Sequence, residues 1–211
     1  MTVTARLSAG RDALARANAA GPHGWLLAAL VSAILLPQLL GGAAMSEALR
    51  YDRDAIAAGE VLRLVTGQFV HLDLLHACAN AAGSIMIWAL VGAALSVRGW
   101  LIVTLAAVAA VAAGLWWLSP AIEWYVGASG MLHGLLVAGA ILQARRDYPL
   151  ARWVIVIVTA KLIWEQAVGP LPFAGDSVVV VDAHLYGALG GMVVALCALL
   201  QQPLRRRRTP L

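Results

Sequence analysis

Ser129 stands in the run Tyr125-Val126-Gly127-Ala128-Ser129-Gly130-Met131-Leu132-His133-Gly134, a Gly-x-Ser-Gly turn that opens directly into an apolar stretch. A hydroxyl between small neighbours at a helix start is a candidate nucleophile if a base can reach it. His184, in Asp182-Ala183-His184-Leu185-Tyr186-Gly187, is the candidate base. It would take the serine's proton as the hydroxyl attacks a carbonyl, then hand that proton to a leaving amine. His76 and Asn80 lie four residues apart, hence on one helical face. They can donate hydrogen bonds to the developing oxyanion, alongside backbone N–H groups at Ala128 and Ser129. Each such donor is worth about 3 kcal/mol in a transition state. The chemistry these residues suit is acyl transfer to serine.

Taken singly, none of these residues would carry that reading, since a buried serine is usually a packing residue. Their setting changes this. The chain has 211 residues, of which 62% are hydrophobic and only 12% charged, whereas soluble domains are about half apolar and a quarter charged. The apolar residues come in long blocks rather than amphipathic stripes, so the fold class expected is all-α, a polytopic membrane bundle. A net charge of +4 raises nucleic acid as a partner, but the basic residues sit at span ends, without interleaved aromatics, and read as topology instead. The two cysteines, Cys78 and Cys197, fall inside spans at different depths and are expected to pack there unpaired.

In chain order, residues 1–22 form a basic N-terminal tail, 23–203 a membrane domain of six transmembrane helices, and 204–211 a basic C-terminal tail. The spans are expected at 23–42, kinked by Pro37, then 71–97, 100–118, 129–144, 151–168 and 178–201, with a polar connection over 43–69. Six spans put both termini on one side, together with Arg98, Arg145, Arg146, Arg152 and the terminal arginine run. Glu47, Asp52, Asp54, Glu60, Glu123 and Asp176 fall opposite. By the positive-inside rule the termini are cytoplasmic and Ser129 faces outward, to the periplasm of a bacterial inner membrane.

The serine helix is short, about 22 Å at 1.5 Å per residue, against about 30 Å of bilayer hydrocarbon. With Arg145 at one membrane face, Ser129 lies several ångströms below the other. His184 is about 24 Å of helix above Leu200, and Asn80 about 22 Å above Leu95. Three polar residues on three helices therefore share one depth. Intramembrane polar residues are costly and so are functional candidates. Gly187 and Gly191, with Gly134, are small enough to let the serine and histidine helices close to hydrogen-bonding range. Asp73 is expected to cap the second span, His71 to be structural at the membrane boundary, and Asp182 to point away from His184 as a surface acid.

These residues resemble the rhomboid intramembrane serine protease pattern. His71-x4-His76-x3-Asn80, Gly127-x-Ser129-Gly130 and Ala183-His184-x2-Gly187-x3-Gly191 are similar to its second-span, nucleophile and sixth-span motifs, in the right order. The resemblance implies a rhomboid-like helical bundle and a Ser129–His184 dyad without a catalytic acid. It implies that His76 and Asn80 assist the oxyanion, that the fifth span and its loop gate the substrate, and that no metal or cofactor takes part. The chain departs from the pattern in two places. Leu62-Arg63 stands where Trp-Arg is common, which puts the anchoring of the first loop in question. His133 stands where many members place a tyrosine against the catalytic histidine.

Gly-x-Ser-Gly-x-Leu-His-Gly, the small size, and Lys161-Leu162-Ile163-Trp164-Glu165-Gln166 look like the rhombosortase branch. That likeness implies transmembrane substrates carrying a C-terminal signal of Gly-Gly, a membrane helix and a basic cluster. Lys161 and Glu165, four apart, can simply neutralise one another; the functional reading is that Glu165 and Gln166 line the substrate entrance. His133, His71, Gly127 and Gly130 complete the candidate supporting residues. Competing readings are a general rhomboid protease with broader substrates, a non-catalytic rhomboid-like binder of membrane helices, and a His-rich membrane metal or haem protein. For the last, His-Glu-x2-His is absent.

Overall fold

The computed structural model describes residues 22–145, 148–171 and 179–201. The expected tails over 1–21 and 204–211, Arg146, and the loop around Asp176 lie outside the described residues. The described elements, in order, are α1 (Pro22–Leu49), β1 (Tyr51–Asp52), α2 (Arg53–Ala57), α3 (Arg63–Thr66), α4 (Leu74–Val91), α5 (Val97–Trp117), β2 (Trp124–Tyr125), α6 (Ser129–Ala144), α7 (Pro149–Ala167) and α8 (Val181–Leu200). Four helices among the described residues are long and apolar enough to cross a membrane: Gly24–Leu49, Leu74–Ala94, Val97–Trp117 and Val181–Leu200. Helix α6 is apolar but only 16 residues long, and α7 has 19 residues that include Arg152, Lys161 and Glu165. The fold is an all-α polytopic membrane bundle, as composition required.

Helix α1 breaks where the first span was expected to end: Gly42 is non-helical, at φ 52°, and a second helical piece runs on to Leu49. Pro37 lies inside the first piece. The left-handed region costs glycine little, and Ala43-Ala44-Met45 then restart the helix because alanine and methionine are strong formers. Asp73 does cap α4, accepting from the His76 N–H at 2.7 Å. The cysteines are both free, but they face outward instead of packing inside.

Helix α6 runs through the middle of the bundle, against α4, α5, α7 and α8. Its core face contributes Met131, Leu135 and Ala138 to the same buried cluster as Val91, Trp100 and Val103. The closest contact is with α8, where backbone meets backbone. A Cβ on Gly187 would overlap the carbonyl oxygen of Gly130, and one on Gly191 that of Gly134. On Gly134 it would lie 2.5 Å from both the Gly187 oxygen and the Ala107 Cβ. Lipid tails are as apolar as side chains, so small residues that bring backbones together are the main source of such helix association.

The connection after α1 is tied down by side chains reaching carbonyls. The guanidinium of Arg53 donates to the carbonyls of Leu115, Trp116 (3.1 Å), Ser119 (3.2 Å) and Ile122 (3.4 Å), at and beyond the end of α5, and lies 5.0 Å over the Trp116 ring. Arg63 donates to the carbonyls of Glu47 (3.1 Å) and Arg50 (3.2 Å), and pairs with Glu60 at 2.7 Å. Leu62 is exposed, so anchoring rests on Arg63 and Arg53. Asp52 caps α2; the Ala55 N–H donated to its carboxylate is the leading reason its proton affinity lies below the usual carboxylate range. Strands β1 and β2 pair antiparallel, Tyr51 opposite Tyr125 and Asp52 opposite Trp124.

Because the α6–α8 contact leaves no room for a methyl group, Gly187→Ala is expected to cost about 2 kcal/mol or more, the overpacking range. Gly83→Ala, whose Cβ would meet only the Leu132 Cδ1 at 3.6 Å, should change stability by less than about 0.5 kcal/mol. Denaturant unfolding of the detergent-solubilised variants measures both.

Candidate active site

The turn entering α6 is built from its neighbours. Gly127 has φ 117°, open to glycine alone among ordinary residues, and its N–H donates to the Gly67 carbonyl at 3.0 Å. A Cβ there would lie 2.9 Å from the His76 Cε1 and 3.0 Å from its Nε2, so the imidazole packs on the bare backbone. The hydroxyl of the buried Tyr125 donates to the Gly127 carbonyl. Ser129 then begins α6, after Ala128, with no side chain capping the helix. The first N–H groups of α6 thus have no intrahelical acceptor, the arrangement that suits a developing negative charge.

His184 meets Ser129 as the depth argument required. Its Nε2 lies 2.9 Å from the Ser129 Oγ, while the imidazole is buried and Ser129 is half-buried. The seam places them there: Gly130 and Ala183, the neighbours of the two residues, touch through backbone, with a Gly130 Cβ falling 2.8 Å from the Ala183 oxygen.

The other face of the imidazole corrects the sequence reading. The Nδ1 of His184 lies 2.9 Å from the Glu165 Oε2, and the Glu165 Oε1 is 2.6 Å from the Lys161 Nζ. Lys161 Nζ also stands 3.3 Å from His184 Nδ1. Glu165 is 3% exposed and belongs to the serine–histidine cluster. A histidine without an acid beside it is therefore not what α7 and α8 assemble. Gln166, on the next helical position, is exposed, donates to the Val181 carbonyl at 3.4 Å and lines an apolar groove between α7 and α8 with Leu162, Leu185 and Leu189.

His133 takes the position expected of a ring against His184. The two imidazoles stack at 4.3 Å and 19°, and the His133 Nδ1 lies 2.7 Å from the Ser129 carbonyl oxygen, to which it donates. His71 is fully buried and meets His76 edge-on at 4.9 Å, so it braces the ring that packs on Gly127. Asn80 is buried one turn further along α4; its amide donates to the His76 carbonyl at 3.2 Å and stands 3.9 Å from the position a Gly127 Cβ would take. His76 and Asn80 converge on the turn two residues before Ser129. Asp182 points away, as expected, but it is no free surface acid: it accepts from Ser119 at 2.6 Å, whose hydroxyl also bonds Tyr186 at 2.8 Å.

His133, Glu165 and His184 bring one ligand atom each to within 4.8 Å of one another. A metal ion is a poor fit to them. The Lys161 ammonium already stands in hydrogen-bond range of Glu165 and His184, and the two imidazoles lie face to face, whereas ligand nitrogens must aim in-plane at a common point.

Sequence reasoning missed two contributors and the partner of a third. Arg53 and Tyr125 carry no motif, and each acts on backbone carbonyls of residues distant or adjacent. Glu165 was singled out, and its four-residue spacing from Lys161 was visible, but its partner His184 lies on another helix.

A family model described as "Rhomboid domain" matches residues 58–201. No curated protein matches the chain.

The His133 ring contributes a stack and a hydrogen bond, worth about 1 kcal/mol each. His133→Ala should therefore slow labelling of Ser129 by a fluorophosphonate about 10- to 100-fold, and His133→Tyr, which keeps a stacked ring, by less than about 10-fold. Pseudo-first-order labelling rates of the purified variants decide it.

Proposed function

The chain belongs to the rhomboid family of intramembrane serine proteases, and on that premise we propose that it is a rhombosortase-like endopeptidase. Its substrates are membrane-anchored proteins cut near a C-terminal signal of Gly-Gly, a transmembrane helix and a basic cluster. The observation that carries the catalytic part is the 2.9 Å contact between the Ser129 Oγ and the His184 Nε2. Ser129 attacks the scissile carbonyl as His184 accepts its proton. The tetrahedral intermediate collapses as His184 protonates the leaving amine, and water, activated by the same imidazole, releases the acyl group from Ser129. The oxyanion is met by the N–H groups at the start of α6, Ala128 and Ser129, with His76 and Asn80 behind Gly127. Gly130 keeps the serine helix against α8, and no cofactor enters the mechanism.

The specificity part rests on Gly127-Ala128-Ser129-Gly130-Met131-Leu132-His133-Gly134 and on the Lys161–Gln166 run. The same proposal places a membrane domain over 23–203 in a bacterial inner membrane, with cytoplasmic basic tails at 1–22 and 204–211 and the site open to the periplasm. The charge distribution supports that orientation, since Arg98 and Arg145 sit at α5 and α6 ends opposite Glu47, Glu60 and Glu123. A general rhomboid protease with broader substrates is the second reading, favoured by the family match alone.

Ser129→Ala and His184→Ala are each expected to lower cleavage of a Gly-Gly reporter by about 10³-fold or more while leaving the protein folded. Replacing the reporter's Gly-Gly should abolish cleavage by the native protein. Substantial cleavage by Ser129→Ala would end the catalytic proposal, and equal cleavage without Gly-Gly would favour the broader protease. Immunoblotting of reporter and product in cells measures all of these.

A further inference from the structure

We propose that Glu165, held by Lys161, is a positioning residue that sets the tautomer of His184, so that the reacting group is a Ser129–His184–Glu165 chain with Lys161 at its far end. The inference rests on the proposed roles of Ser129 and His184.

The argument follows from donors and acceptors. A neutral imidazole carries one proton, on Nδ1 or on Nε2, and the hydrogen bond at one nitrogen decides the state of the other. His184 has two groups competing for Nδ1. The Glu165 Oε2, at 2.9 Å, is an acceptor and demands a proton on Nδ1. The Lys161 Nζ, at 3.3 Å, is a donor and demands a lone pair there. Only the first arrangement leaves a lone pair on Nε2, facing the Ser129 Oγ at 2.9 Å. In the second, Nε2–H would donate to the serine and could not accept its proton. The second arrangement would also set the Nδ1 lone pair against a carboxylate oxygen at 2.9 Å, two acceptors in contact.

Lys161 is kept from winning this competition by Glu165 itself. Its ammonium lies 2.6 Å from the Oε1, a shorter contact than the one it makes with His184. The pairing does a second thing. A carboxylate whose residue is 3% exposed is costly as an ion unless it is paired and hydrogen-bonded. Lys161 on Oε1 and the imidazole N–H on Oε2 occupy both oxygens, which keeps Glu165 ionised and holds its plane. When Ser129 gives up its proton, that proton moves to Nε2, the Nδ1 proton stays in place, and the imidazolium charge forms against the Glu165 carboxylate. The geometry is that of a Ser-His-acid group, with the acid supplied from α7 instead of from the histidine's own helix.

This separates from a role at the substrate entrance, and from a purely structural ion pair. The purified full chain, in detergent and labelled with ¹⁵N-histidine, reports the His184 tautomer by NMR without any substrate. The native protein and Ser129→Ala are expected to show the Nδ1–H form; Glu165→Gln should shift it toward Nε2–H. In parallel, Glu165→Gln should slow fluorophosphonate labelling of Ser129 by about 100-fold or more, and lower kcat for a helical reporter with KM unchanged. Should that variant leave the unmatched Lys161 ammonium unfolding the bundle, the double variant Lys161→Met with Glu165→Leu removes both charges and every acceptor at Nδ1, and is expected to show the same tautomer shift and the same slow labelling. Lys161→Met alone, which keeps the Glu165–His184 bond, should retain the Nδ1–H form. Native labelling rates in Glu165→Gln or in the double variant, an unchanged tautomer, or a change confined to KM would overturn the proposal. If Ser129→Ala still cleaved substrate, the protease reading would fall, while the tautomer result would stand or fall separately.

Discussion

Two helices in this bundle touch through their backbones, and the rest of the site depends on that. Along α6 and α8 the contact is made by Gly130, Gly134, Gly187 and Gly191, with no side chain between them. At ordinary helix separations of about 8–10 Å, a serine and a histidine on facing helices would need their full side-chain lengths to meet. Here the two side chains that meet are immediate extensions of the seam, Ser129 beside Gly130 and His184 beside Ala183, so short side chains suffice. The same closeness leaves no room for a methyl group between the two helices.

Around that seam the structure supports the turn from the side of α4 and from the loops. The turn at Gly127 is held by a backbone bond to Gly67, by the Tyr125 hydroxyl and by the His76 ring, which His71 braces from its edge. Arg53 ties the first loop to the end of α5, and the β1–β2 pairing ties that loop to the segment before Ser129. Side chains reaching backbone carbonyls are a natural solution where a helix end lacks partners of its own. The consequence is a serine whose entering turn is held from several sides, while Ser129 itself stays half-buried.

Much of this was legible in the sequence. Helix rise turned spacings into depths, which paired Ser129 with His184 and placed Asn80 near them; glycine spacing showed where α6 and α8 could close. Asp73 could be read as a cap because the pattern is local. Other features were not legible because they depend on rotations and registers set by tertiary packing. The partner of Glu165 is fixed by how α7 lies on α8, which no spacing within Lys161–Gln166 reveals. Arg53 lies in the connection that reads only as polar, and its four carbonyl partners lie more than sixty residues away. The second helical piece after Gly42 was not legible either, because its apolar and small residues read as the start of the connection.

What the arrangement asks of Ser129 is that it be the one hydroxyl in the chain made nucleophilic by its surroundings. The most direct measurement is to react the folded protein with a fluorophosphonate and locate the adduct by mass spectrometry of its peptides. The account predicts a single adduct, on Ser129, that does not form once the protein has been unfolded. An adduct on another residue, or none in a protein shown to be folded, would contradict it.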